Sequence, residues 1–141
     1  MNMERKEFLK LISAGATSVA LFHCAGCSKS SADPATGGPT GINFTLDLTD
    51  PANASLLTIG GSLAKNGVLV ARTSSGAYIA VQQSCTHENF PLIYHVSAQL
   101  FLCNKHGAAF NESGVVENPP ATKNLTLYNT KLAGTLLTVY S

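Results

Sequence analysis

Two short blocks that combine cysteine with histidine constrain this sequence more than any other feature. The first block is Cys85-Thr86-His87, the second is Cys103-Asn104-Lys105-His106, and fifteen residues separate them. Thiolate and imidazole are the side chains that bind iron and zinc best, and four of them complete a closed metal site. The fold must therefore bring two loops together so that the blocks converge.

The body of the chain consists of apolar runs of strand length. Turn signals separate these runs, among them Lys65-Asn66-Gly67, Ser74-Ser75-Gly76 and Ala133-Gly134. Such segments suit tight turns because glycine and asparagine accept positive φ at little cost. The sequence therefore predicts hairpins and an antiparallel, all-β fold. For residues 51–63 it leaves open a single turn or a weak strand. The predicted strands are 42–48, 67–72, 77–82, 99–103, 125–129 and 135–140.

The two blocks resemble the Rieske signature, in which C-x-H is followed after a spacer by C-x-x-H. This resemblance implies a [2Fe-2S] cluster, with both cysteines on one iron and both histidines on the other. It also implies a Rieske-like antiparallel β-sandwich at 42–141, in which a small cluster-binding subdomain, at about 84–121, is inserted. The ligands are then Cys85, His87, Cys103 and His106. The residues that extend the resemblance are Gly107, Phe110, Gly114, Val116, Pro119, Pro120 and Leu125.

The resemblance implies a one-electron carrier, or the iron–sulfur component of a quinol- or cytochrome-linked oxidoreductase complex, rather than a complete enzyme. Its electron donor and acceptor are expected to be redox proteins that dock at the exposed edges of His87 and His106. Gly107 is expected to let the ligand loop turn sharply, and Pro119-Pro120 to stiffen a loop that covers the cluster. In the body of the chain only His95 remains, which we interpret as a surface histidine, so no second, mononuclear iron site of an oxygenase is expected.

The sequence departs from the Rieske subunits of cytochrome bc complexes at the positions of a bracing disulfide. Those positions are Phe90 and Lys105 here. The arrangement without the bridge resembles Rieske ferredoxins and oxygenase domains. Packing must replace the bridge, and Phe90, Leu92 and Phe101 are expected to shield the cluster from water.

A second departure concerns the reduction potential. High-potential members of the family carry serine and tyrosine where this chain has Ala108 and Phe110. Hydroxyl groups there donate hydrogen bonds to sulfur and stabilise the reduced cluster. Their absence predicts a potential toward the low end of the Rieske range of about −150 to +300 mV.

Residues 1–27 have the layout of a bacterial signal peptide. Arg5 and Lys6 precede an apolar stretch at 11–22, which is shorter than the roughly twenty residues that a membrane-spanning helix needs. Cys24-Ala25-Gly26-Cys27 resembles a lipobox, so we expect lipidation of Cys27, with an ordinary cleaved signal as the alternative. Arg5-Lys6 also resembles a twin-arginine export signal, although a general secretory signal remains open. The segment predicts a lipid-anchored protein on the periplasmic side of a bacterial membrane.

Composition indicates the nature of the segment after the signal peptide and narrows the classes of partner. Residues 28–41 are rich in serine, glycine, proline and threonine and are predicted to be a flexible linker. Nucleic acid is excluded as a partner, because the net charge is +1 and only 12% of residues are charged.

Two alternatives to the electron carrier stay open: a structural zinc module that uses the same four ligands, and a surface lipoprotein without a cluster. The C-x-H spacing is tighter than zinc sites usually have.

Overall fold

Ten strands and one 3₁₀ helix are present in residues 37–141, the part of the chain that the computed structural model describes. The predicted signal peptide, Cys27 and most of the predicted linker lie outside the described residues. The predicted domain boundaries stay predictions. The 3₁₀ helix is Pro51–Leu57, and the strands are β1 (Asn43–Asp47), β2 (Ser62–Lys65), β3 (Val68–Arg72), β4 (Tyr78–Gln82), β5 (Ile93–His95), β6 (Leu100–Leu102), β7 (Ala109–Asn111), β8 (Val116–Asn118), β9 (Leu127–Ala133) and β10 (Leu136–Tyr140).

Six strands form the base sheet, in the order β1-β10-β9-β4-β3-β2, and every neighbouring pair is antiparallel. Asn66 and Gly67 both have positive φ, at 52° and 77°, and form the tight turn between β2 and β3. Gly134, with φ of 61°, turns the chain between β9 and β10. The turn signals in the sequence thus mark real hairpins.

The four remaining strands form a small sheet, in the order β5-β6-β7-β8, again antiparallel. It is inserted between β4 and β9, which are hydrogen-bonded neighbours in the base sheet. The inserted segment therefore leaves the base sheet and returns to it at adjacent strands. The prediction of an all-β antiparallel fold with a small inserted part is confirmed.

Strand β3 links two apolar cores because its successive side chains point to opposite faces. Val68 and Val70 belong to the core of the base sheet. Leu69 and Ala71 belong to the second core, which also contains both cysteines of the sequence blocks and the apolar residues of the small sheet. Strand β3 is accordingly almost fully buried, and the small sheet packs on it through alternate residues.

The sequence predicted the five strands of five residues or more and the short strand β6, but it missed the other four short strands. Strands β5, β7 and β8 have three residues each, which is too short for a period of two to stand out. The ambiguous segment 51–63 holds both alternatives, since the 3₁₀ helix is followed by the start of β2. Asp50 caps this helix by accepting a hydrogen bond from the Ala52 amide at 2.9 Å.

The last residues of the predicted linker contact the base sheet. The Gly38 amide donates to Thr126 Oγ1 at 2.9 Å, and the Tyr128 hydroxyl donates to the Pro39 carbonyl at 2.8 Å. A Cβ atom at Gly38 would lie 2.6 Å from the Cβ of Gln82, closer than real contacts allow. In the described part of the chain, no helix is long and apolar enough to cross a membrane.

We expect Gly38→Val to destabilise the domain by about 1–3 kcal/mol, because the new side chain must displace Tyr128 or break the Gly38 hydrogen bond. Thr40→Val, at an exposed position two residues further on, should stay within about 0.5 kcal/mol of the wild type. The midpoint of anaerobic urea unfolding measures both. Equal midpoints for the two variants would show that the chain before residue 42 is not held by the sheet.

Candidate metal centre

The two sequence blocks fold into two loops of the same construction, the first ligand loop (85–90) and the second ligand loop (103–108). In each, the cysteine amide donates to the carbonyl five residues later at 2.8 Å, and the amide four residues after the cysteine donates back at 2.9 Å. The residue four positions after the cysteine has positive φ in both loops, 44° for Asn89 and 77° for Gly107. The shared backbone path brings the two metal-binding blocks to one end of the small sheet.

The two thiols lie on the inner side of these loops. Cys85 and Cys103 are both fully buried, both free, and both part of the second core. Burial raises the pKa of Cys85, because apolar surroundings disfavour a thiolate, and the neighbouring Cys103 raises it further. The His87 amide, 3.5 Å from the Cys85 sulfur, acts in the opposite direction. Thiolates at this depth require a metal cation to balance their charge.

The two imidazoles lie on the outer side. The rings of His87 and His106 meet edge to face, with centroids 4.9 Å apart and planes at 89°. The Nδ1 atom of His87 is buried and has no hydrogen-bond partner. Such an orphaned polar atom costs about 1–3 kcal/mol unless a metal ion satisfies it. His106 is more exposed, and its Nε2 lies 3.5 Å from Glu88 Oε2.

The outer side of the site brings three candidate ligand atoms together. Within residues 37–141, the atoms of His87, Glu88 and His106 form a set of three within 4.8 Å of one another, and neither cysteine sulfur belongs to such a set. Two buried thiols and two more exposed imidazoles are the ligand set of a Rieske-type cluster, with both thiolates on one iron and both imidazoles on the other.

Contacts from outside the loops support both of them. Asn118 Nδ2 donates to the Gly107 carbonyl at 2.8 Å and to the Pro119 carbonyl at 3.1 Å, which ties the proline loop to the second ligand loop. The Pro119–Pro120 peptide bond is cis. Thr86 Oγ1 donates to the Lys123 carbonyl at 2.7 Å and fixes the first ligand loop. Sequence reasoning missed Asn118 and Thr86, because no spacing rule links them to these partners.

The predicted shield of the cluster is only partly as expected. Leu92 and Phe101 are buried in the same core as the cysteines. Phe90 instead is 36% exposed and lies against His106, with ring centroids 5.7 Å apart. Phe90 therefore belongs to the outer surface of the site. His95 is exposed on β5, as predicted for a surface histidine.

Buried thiols beneath a pair of imidazoles, on twin loops of an all-β domain, define the site of an iron–sulfur protein. The family model for the Rieske [2Fe-2S] domain matches residues 50–130, which is more than half of the chain. The chain belongs to the Rieske [2Fe-2S] domain family. Its cofactor is a [2Fe-2S] cluster, and its role is iron–sulfur electron transfer.

Solved structures of similar proteins share the fold. The cyanobacterial plasma membrane Rieske protein PetC3 from Synechocystis PCC 6803 is 28% identical, with 57% of this chain and 85% of that chain covered and a TM-score of 0.50. The ferredoxin of carbazole 1,9a-dioxygenase from Nocardioides aromaticivorans IC177 is 20% identical, with 72% and 98% covered and a TM-score of 0.52. The Sphingomonas yanoikuyae B1 ferredoxin is 17% identical, with 60% and 88% covered and a TM-score of 0.52. No curated protein matches the sequence.

The twin loops generate a prediction for Gly107. No protein atom lies within 4 Å of a Cβ built there, so the positive φ alone explains the glycine. We expect Gly107→Val to cost about 1–3 kcal/mol and to lower the iron content, because a branched side chain disfavours positive φ. Gly107→Asn should keep its iron, since Asn89 holds the same position in the first ligand loop. The iron content per chain and the midpoint of unfolding are measured for both variants. Equal losses of iron and of stability in the two variants would contradict the backbone explanation.

Proposed function

We propose that this protein is a lipid-anchored, periplasmic one-electron carrier whose redox partners dock at the outer histidines of its [2Fe-2S] cluster. One observation carries the assignment of the ligands: a buried His87 Nδ1 without a partner lies at the same end of the small sheet as two buried free thiols. A buried His87 nitrogen without a partner would be costly in a chain that binds no metal.

The four ligand residues take different roles. Cys85 and Cys103, as thiolates, would hold one iron of the cluster, and His87 and His106 would hold the other through imidazole nitrogens. When bound, the cluster supplies a site that accepts and releases one electron. Leu92 and Phe101 in the surrounding core keep water from the thiolate side.

His106 marks the face toward a partner. Its side chain is 30% exposed, so electrons can pass to a docked protein through a short path. The surrounding surface mixes an acidic, a basic and an aromatic side chain, namely Glu88, Lys105 and Phe90. A small surface of this mixed kind suits partners that bind briefly and dissociate, as electron carriers require.

The proposed location rests on the N-terminal sequence. A charged n-region, a short apolar stretch and the lipobox-like Cys24-Ala25-Gly26-Cys27 support export and lipidation at Cys27. A cofactor assembled in the cytoplasm favours export of the folded protein, which supports Arg5-Lys6 as a twin-arginine-like signal. Gly38 and Pro39, near the end of the predicted linker at 28–41, contact the base sheet.

Metal analysis and EPR of the dithionite-reduced protein, purified anaerobically, test the function. We expect two irons per chain and a Rieske-type EPR signal. His106→Ala should lose the signal, whereas His95→Ala, which changes an exposed histidine on β5, should retain it. One zinc per chain without a signal would replace the electron carrier by the structural zinc module. A folded chain that contains no metal would support the surface lipoprotein without a cluster.

The reduction potential depends on the missing hydroxyl at Phe110. This residue is fully buried in the core that contains both cysteines. We expect Phe110→Tyr to raise the potential by roughly tens of millivolts, because a hydroxyl that donates to sulfur stabilises the reduced cluster. Tyr94→Phe is the control, since the Tyr94 hydroxyl already donates to Glu112. An EPR-monitored redox titration measures both, and an unshifted Phe110→Tyr protein with an intact spectrum would contradict the explanation.

A further inference from the structure

The two ligand loops meet at their outer end through side chains. We call this region the tip, and it consists of His87, Glu88, Phe90, Lys105 and His106. Each loop is closed on itself by its own backbone hydrogen bonds. Across the tip, Glu88 and His87 of the first loop both contact His106 of the second. The carboxylate of Glu88 is half exposed, so it holds His106 weakly.

Phe90 contacts two residues of the second ligand loop across the tip. Its ring meets the His106 ring at 5.7 Å and 76°, an edge-to-face geometry. The Lys105 ammonium lies 5.4 Å from the centroid of the same ring, within the range of a cation–π interaction. One side chain of the first loop thus contacts two consecutive residues of the second.

We propose that Phe90 is a positioning residue for His106: a non-covalent clasp that keeps the second ligand loop closed on the first. The inference rests on the proposed function in one respect, that His106 is a metal ligand. His106 is the more exposed of the two histidines, and its loop turns at a glycine immediately after it. An imidazole in this position swings outward and exchanges with water unless a neighbour blocks that path, and Phe90 lies against it.

The contacts on both sides of Phe90 explain why the residue is aromatic. An aliphatic side chain of similar volume would cover His106, but it has no negative π face for Lys105 and no ring edge for the imidazole. Two contacts of this kind together shift the opening of the loop by on the order of tenfold. A role limited to partner docking would instead leave the isolated protein unchanged when Phe90 is removed.

The rate at which the purified full-length chain releases its metal to excess EDTA tests the clasp. We expect Phe90→Ala and Phe90→Leu to release metal on the order of tenfold faster than wild type. Phe90→Trp should restore the wild-type rate, because its larger ring keeps both contacts. Tyr140→Ala is the matched control, since Tyr140 is an aromatic residue of similar exposure, 39%, on β10. Pulsed EPR of the reduced Phe90→Ala protein should show a broadened nitrogen coupling from the histidine ligands.

Each outcome has a distinct meaning. A wild-type release rate in Phe90→Ala would overturn the clasp, and a wild-type rate in Phe90→Leu alone would reduce Phe90 to an apolar cover. Zinc in place of iron would end the proposed function, yet the same release series would still test the clasp. If the chain holds no metal, the NMR chemical shifts of the His106 ring protons test the contact instead, because the Phe90 ring current should shift them. Unchanged shifts in Phe90→Ala would reject the contact.

Discussion

The burial of two cysteine thiols at one end of the small sheet is the constraint on which this structure depends. Thiolates in an apolar core are stable only when a cation neutralises them, and burial raises the pKa of Cys85 accordingly. The same core leaves His87 Nδ1 without a partner. Twin loops with the same backbone hydrogen bonds deliver both thiols inward and both imidazoles outward. The binding of a cluster therefore satisfies groups that the fold alone leaves unsatisfied.

The base sheet makes this arrangement rigid. The inserted sheet starts after β4 and ends before β9, and these strands are hydrogen-bonded neighbours. The ends of the insertion are thus held together by the ladder, so little entropy is lost in closing it. Strand β3 also contributes to this rigidity, because its alternate residues pack into the two different apolar cores. Side chains at the tip, in contrast, contact one another across the two loops, so small contacts there bear on the position of His106.

Prediction from the sequence succeeded where a signal was local. Strands with five or more residues were visible as apolar runs, and turn residues such as Asn66-Gly67 do adopt positive φ. The three-residue strands β5, β7 and β8 carry no usable periodicity and were missed. The expected shielding role of Phe90 stays a prediction, and the structure places the residue at the tip, against His106.

The sequence by itself determined the ligand types, their spacing, the turns and the family, because each of these depends on residue identity at short range. Only the tertiary structure decided which distant groups meet: Thr86 with Lys123, Asn118 with Gly107, and Phe90 with the second ligand loop. It also placed both thiols in the second apolar core. Such contacts depend on where the two sheets place their loops in space, and no pattern of residues along the chain encodes that distance.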